Sequence, residues 1–156
     1  MSRTDQKLLI ISRNALLDTL PEDSSEQVFR ALASLSRRGF HLLLTAPEPD
    51  RWVPTRRNVD DALNAQRILL ERSRTAGGEL EGVYYVPRSL LTQDRNREGA
   101  LRDILKRFSV APAGAILVSS SLPFLKAAAR IGIATNEIAL KGKRGKNLLA
   151  VLRSLI

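Results

Sequence analysis

Lys7-Leu8-Leu9-Ile10-Ile11-Ser12-Arg13-Asn14-Ala15-Leu16-Leu17 decides how the rest of the chain is read. The run from Lys7 to Ile11 is apolar, rich in Leu and Ile, and without helical period, which predicts a buried strand. Polar Ser12-Arg13-Asn14 follows at once and predicts a strand-ending loop. A strand apolar on both faces belongs in a parallel sheet covered on both sides. In such sheets ligands bind just beyond the carboxyl ends of the strands, so the loop from Ser12 onward is the first place to look for a site.

Downstream, strands and helices alternate. Ser24 and Gln27 have the spacing of a helix-capping pair, and Val28, Ala31, Leu32 and Leu35 follow at helical spacing to Arg37-Arg38-Gly39. His41-Leu42-Leu43-Leu44-Thr45 predicts a second buried strand. A long helix is expected from about Arg56 to Thr75, with Val59, Ala62, Leu63, Leu69 and Leu70 turned inward, stopped by Gly77-Gly78. Val83-Tyr84-Tyr85-Val86 predicts a third strand, Gly99 to Phe108 a helix, and Ala115-Ile116-Leu117-Val118 a fourth strand. Leu122 to Arg130 predicts a helix, Gly132-Ile133-Ala134 a short fifth strand, and Asn147 to Ile156 a last helix. This pattern predicts one three-layer α/β/α domain over residues 1–156, with a mainly parallel five-stranded sheet.

Composition narrows the function classes. The chain of 156 residues is 44% hydrophobic but only 4% aromatic, so its core is expected to be aliphatic. With no cysteine, disulfides and thiolate metal sites are excluded. No apolar run is long enough for a membrane span, and the polar start Met1 to Lys7 does not resemble a secretory signal, so a cytoplasmic protein is expected. The formal net charge of +9 admits two readings: solvated arginines on helix faces, or an anionic partner. Four cations cluster in Lys141-Gly142-Lys143-Arg144-Gly145-Lys146, which makes Lys141, Lys143, Arg144 and Lys146 the candidate nucleic-acid contacts. Trp52 either packs its loop or stacks on a base or sugar.

Several segments together resemble the haloacid dehalogenase (HAD) phosphatases, in particular the subfamily of heptose-bisphosphate and histidinol-phosphate phosphatases. The likeness spans roughly residues 7 to 140. Ile11-Ser12-Arg13-Asn14-Ala15-Leu16-Leu17 corresponds to that family's hydrophobic-Asp-x-Asp-Gly-Thr-Leu, and Leu43-Leu44-Thr45 matches a second strand ending in a phosphoryl-binding Thr. Leu80-Glu81-Gly82-Val83-Tyr84-Tyr85-Val86-Pro87 is similar to a segment ending in Tyr-Tyr-x-Pro. Arg95-Asn96-Arg97-Glu98-Gly99-Ala100-Leu101 fits the stretch that carries a basic residue, with Arg95 in place of the lysine. Val118-Ser119-Ser120-Ser121-Leu122-Pro123-Phe124 stands where the family has Val-Gly-Asp-x-x-x-Asp.

The resemblance implies a lost chemistry. Such phosphatases attack phosphorus with one Asp, use a second as acid and base, and hold Mg²⁺ with carboxylates. The matching positions here are Ser12, Asn14 and Ser120, with Phe124 near the last acid. The only histidine, His41, starts a strand and is expected at the opposite end of the sheet. No resident cofactor or metal is therefore expected, Mg²⁺ entering only with a divergent phosphatase. Asp18 and Asp23, beside the first loop, read as turn and capping residues.

Three functions follow as expectations. The first is a catalytically degenerate HAD-fold protein, a binding or regulatory module for a phosphate-containing small molecule held by Arg13, Thr45, Arg95, Ser119 and Ser120. The second is a divergent phosphatase for a sugar phosphate or nucleotide. The third is nucleic-acid binding through the basic surface. A monomer is expected, and no membrane partner.

Overall fold

The computed structural model describes residues 7–17, 25–46, 56–86, 93–139 and 145–156. Five strands form one sheet in the order β3-β2-β1-β4-β5, every neighbouring pair parallel. They are β1 (Lys7–Ser12), β2 (Phe40–Thr45), β3 (Leu80–Tyr84), β4 (Ala115–Ser119) and β5 (Ala134–Glu137). The helices are α1 (Arg13–Leu17), α2 (Ser25–Arg37), α3 (Arg56–Thr75), α4 (Gln93–Phe108), α5 (Leu122–Arg130) and α6 (Leu148–Leu155). The three-layer α/β/α arrangement is the one that the alternating pattern predicts. Among the described residues, no helix is long and apolar enough to cross a membrane.

Side-chain alternation along β1 builds both cores. Leu9 and Ile11 pack with Leu42, Leu44 and the inner faces of α2, α3 and α6, including Val28, Leu32, Leu69 and Val151. Leu8 and Ile10 face the other way, onto Leu43, Leu117 and the Leu101, Ile104, Phe124 and Ala128 positions of α4 and α5. Each of Leu8, Leu9, Ile10 and Ile11 is fully buried, which explains a run with no polar residue on either face.

Some expectations need correction. The loop after β1 is instead α1, which begins at Arg13 and buries Ala15 and Leu16. Leu63 does not point inward; it is exposed, because it lies six residues, about 120° of helix, from buried Leu69. The third strand starts at Leu80 rather than Val83. Its pairing with β2 slips between Leu42↔Leu80 and Leu44↔Val83, where Gly82 takes φ +142° and supplies the extra residue of a bulge. That bulge breaks the period-2 pattern and hides the first half of the strand. The helix expected from Gly99 to Phe108, α4, starts at Gln93, before its apolar stripe begins, and β5 starts only after the Gly132 turn. Asp18, Asp23, Ser24, Trp52, Pro87 and the cations Lys141, Lys143 and Arg144 lie outside the described residues. Lys146 is exposed, and its carbonyl accepts a hydrogen bond from the Ala139 amide.

Two features of this frame give measurable expectations. Gly99 lies within α4, and a Cβ there would meet nothing within 4 Å. Gly99→Ala should therefore stabilise by about 0.5–1 kcal/mol through the lower entropy of the unfolded chain, raising Tm by a few degrees in calorimetry. On β3, the Tyr84 hydroxyl donates to Asp103 Oδ2 at 2.7 Å. That hydrogen bond, with Arg107 nearby, lowers the Asp103 pKa, while burial and Asp103 itself raise that of Tyr84. A lowered carboxyl pKa contributes stability above the unfolded-state pKa, and the contribution is lost as pH falls through the folded value. Tyr84→Phe should move the Asp103 carboxyl titration upward in NMR and flatten the acid limb of the stability curve. An unmoved Asp103 titration would show that the neighbouring cations Arg107 and Lys106 set it without Tyr84.

Candidate functional site

Parallel registry places the ends of the central strands side by side. Ser12 is opposite Thr45 across the β1–β2 pair, and Ile11 is opposite Val118 across β1–β4, which brings Ser119 beside Ser12. Neighbours of β1 run to β2 and β3 on one side and to β4 and β5 on the other, so β1 and β4 form the topological switch point. The Ser12 hydroxyl donates to Ser119 Oγ at 2.8 Å. Ser119 Oγ also accepts from the Ser121 amide at 3.0 Å. Ser121 in turn caps α5, its Oγ accepting from the Phe124 amide at 3.4 Å.

Alternation along the strands puts Ser12, Thr45 and Ser119 on the α4–α5 side, in phase with Ile10, Leu43 and Leu117. Thr45 is completely buried, and its Oγ1 has no hydrogen-bond partner among the described residues. Ser119 is also buried, whereas Ser12 and Ser120 are half-buried. Asn14 is exposed on α1. His41, opposite Leu8, is at the far end of the sheet with its Nδ1 2.7 Å from Glu81 Oε2, and takes no part in the cluster.

Arg13 turns away from the serines, toward α3. Its Nη1 donates to Gln66 Oε1 at 3.0 Å, and the same oxygen accepts from the Tyr85 hydroxyl at 2.8 Å. The guanidinium carbon lies 5.9 Å from the centre of the Tyr85 ring. Arg13 is 9% exposed, and its Nε has no hydrogen-bond partner among the described residues. Arg95 is in the first turn of α4, on the same side of the sheet as Thr45. It is exposed and shares a shallow hollow with Glu98, Gly99 and Arg102. Among the described residues, no hydrogen bond joins Arg95 to Ser12, Thr45 or Ser119. The geometry thus gathers Ser12, Thr45, Ser119 and Ser120 at one sheet end, while the Arg13 side chain turns to α3 and Arg95 lines a separate hollow with Glu98, Gly99 and Arg102.

The donor set decides what can be held here. Hydroxyls offer hydrogen bonds to an anion, and guanidinium groups favour its charge. Mg²⁺ surrenders its water reluctantly and is bound through carboxylates, which Ser12, Thr45, Ser119 and Ser120 do not provide, so the residues present do not fit that ion. Among the described residues, no three His, Cys, Asp or Glu side chains come together in an arrangement suited to a metal.

This fold is that of the HAD phosphatases. The chain is similar to the D,D-heptose 1,7-bisphosphate phosphatase of B. bronchiseptica, a structure complexed with magnesium and phosphate, at 24% identity and a TM-score of 0.67, covering 96% of this chain and 97% of that one. The D,D-heptose 1,7-bisphosphate phosphatase of Burkholderia thailandensis aligns at 20% identity and a TM-score of 0.64, over 96% and 97% of the two chains. A HAD-like phosphatase candidate from Mesorhizobium loti gives 18% identity and a TM-score of 0.60, over 97% and 88%. No family model and no curated protein matches the sequence.

Proposed function

We propose that this protein is a catalytically degenerate HAD-fold module that binds a phosphorylated small molecule instead of hydrolysing it. The observation that carries this reading is the buried Thr45 hydroxyl, left without a partner among the described residues beside the Ser12–Ser119 pair. A buried hydroxyl without a hydrogen bond costs roughly 1–3 kcal/mol, a cost that an anion accepting from it offsets. Among the described residues, the cluster offers hydroxyl donors and no carboxylate to act as nucleophile or proton carrier. Arg95, in the first turn of α4, and Arg13 add positive charge that favours an anion at this end of the sheet.

The test uses a chromogenic phosphate monoester with Mg²⁺ together with thermal unfolding in inorganic phosphate. Turnover should stay at background, and Ser12→Asp alone should not raise it, because acid, base and metal ligands are absent together. Phosphate at tens of millimolar should raise Tm and shift NMR signals of Thr45 and Ser119. Turnover that purifies with the protein and disappears in Ser12→Ala would overturn the proposal in favour of a divergent phosphatase. No response to phosphate in either measurement would make the hydroxyl cluster a relic without a ligand.

A further inference from the structure

Arg13 directs its charge to the α3 side of the sheet, away from Thr45 and the serines. We propose that its guanidinium is the floor of a separate binding site for a small monocarboxylate with an apolar body. This does not rest on the anion reading of Thr45. Arg13 opens α1, and its side chain reaches Gln66 on α3. It is nine-tenths buried, and Nη1 donates to the neutral Gln66 Oε1 at 3.0 Å. Among the described residues, no carboxylate pairs with it.

A guanidinium keeps its charge in a protein, and a buried charge without a counter-ion is costly. Nη1 faces Gln66, so the opposite edge, Nε with Nη2, is the one left for a ligand. Nε is buried and has no hydrogen-bond partner among the described residues. That edge presents two parallel N–H groups, the geometry that a planar carboxylate accepts with both oxygens. Charge balance favours the same ligand. One guanidinium and one carboxylate neutralise each other, whereas a phosphate dianion would leave an uncompensated negative charge in the same dry surroundings.

The surface next to this charge is apolar. Tyr85, whose hydroxyl donates to the same Gln66 oxygen at 2.8 Å, has its ring centre 5.9 Å from the guanidinium carbon and is 53% exposed. Leu63 precedes Gln66 by three residues on α3, so the two share a helix face with Cβ atoms about 5–6 Å apart. Leu63 is 54% exposed. Two of the four large apolar side chains left exposed among the described residues therefore stand beside one buried cation. A ligand reaches Nε by displacing the Tyr85 ring, the most exposed group described around the guanidinium, and its hydrocarbon then covers Leu63.

NMR titration of the intact protein reads the Arg13 Nε–H signal directly, with sodium butyrate, sodium acetate, inorganic phosphate and sodium chloride at matched ionic strength. Butyrate should shift that signal saturably and bind about fivefold more tightly than acetate, while chloride leaves it in place. Arg13→Lys, which keeps the charge and loses the fork, should weaken butyrate about tenfold. Leu63→Ala, a change at an exposed position, should bring butyrate down to the acetate level. An Nε–H signal unmoved by tens of millimolar butyrate would make Arg13 a structural clamp between α1 and α3 and overturn the proposal. An equal shift with chloride would also overturn it, as would phosphate acting at Nε more tightly than butyrate, which would return Arg13 to the phosphoryl site. Should Arg13→Lys fail to fold, the wild-type titration and Leu63→Ala still decide. Thr45 and Ser119 signals, responsive to phosphate and silent to butyrate, keep this outcome separate from that of the proposed phosphate site.

Discussion

Thr45→Val should make the ligand-free protein more stable and unresponsive to phosphate. Thr45 is wholly buried with an unpaired hydroxyl, and valine has nearly the same shape without the oxygen. Removing a buried polar atom that lacks a partner returns its desolvation cost, about 1–2 kcal/mol, or several degrees of Tm in a chain of this size. The same change deletes the donor on which the proposed anion site depends, so a phosphate-induced rise in Tm should disappear. Calorimetry with and without phosphate reads both effects on one pair of samples. The opposite signs separate a binding residue from a structural one. If Thr45→Val lowers Tm, the hydroxyl is stabilising in the ligand-free state, and the argument for an anion site at β2 fails.

Such a residue was visible in the sequence as a polar full stop to an apolar run. Leu43-Leu44-Thr45 and Ile10-Ile11-Ser12 both end that way, and parallel pairing then fixes Thr45 opposite Ser12. The convergence of Ser12, Thr45 and Ser119 needed nothing beyond strand direction and order. Arg13 was different. Its partner Gln66 is 53 residues away on α3, and no periodicity in either segment signals that contact. The exposed ring of Tyr85 was half legible: alternation required one of Tyr84 and Tyr85 to face outward, but only its hydrogen bond to Gln66 shows that it turns toward α3. α1 was missed because a five-residue helix carries too few residues for a 3.6-residue period to declare itself.

Glycines gave a different kind of legibility, which a substitution at Gly78 exposes. The pair Gly77-Gly78 reads as a helix stop after α3, and the chain does turn there: the Gly77 amide donates to the Arg74 carbonyl and the Gly78 amide to the Ser73 carbonyl. A stop alone would tolerate alanine at Gly78. In the fold it would not, because a Cβ at Gly78 comes within 2.9 Å of the Ala33 Cα and nitrogen and 3.2 Å of the Leu32 carbonyl carbon. These are backbone atoms of α2, so no side chain can rotate out of the way. Their neighbours Leu32 and Ala33 are buried, and the fully buried Ser73 donates to the Gly78 carbonyl at 2.9 Å, pinning the turn from its other side. Either α2 or the turn into β3 must shift, at a cost in the upper range of overpacking, about 2–4 kcal/mol. Gly78→Ala should therefore lower Tm by roughly 5–15 °C, while Gly99→Ala raises it. Unchanged stability in Gly78→Ala would mean that α2 and β3 are not packed backbone to backbone, and that the edge of the sheet next to Tyr85 is looser than the close approach at Gly78 requires.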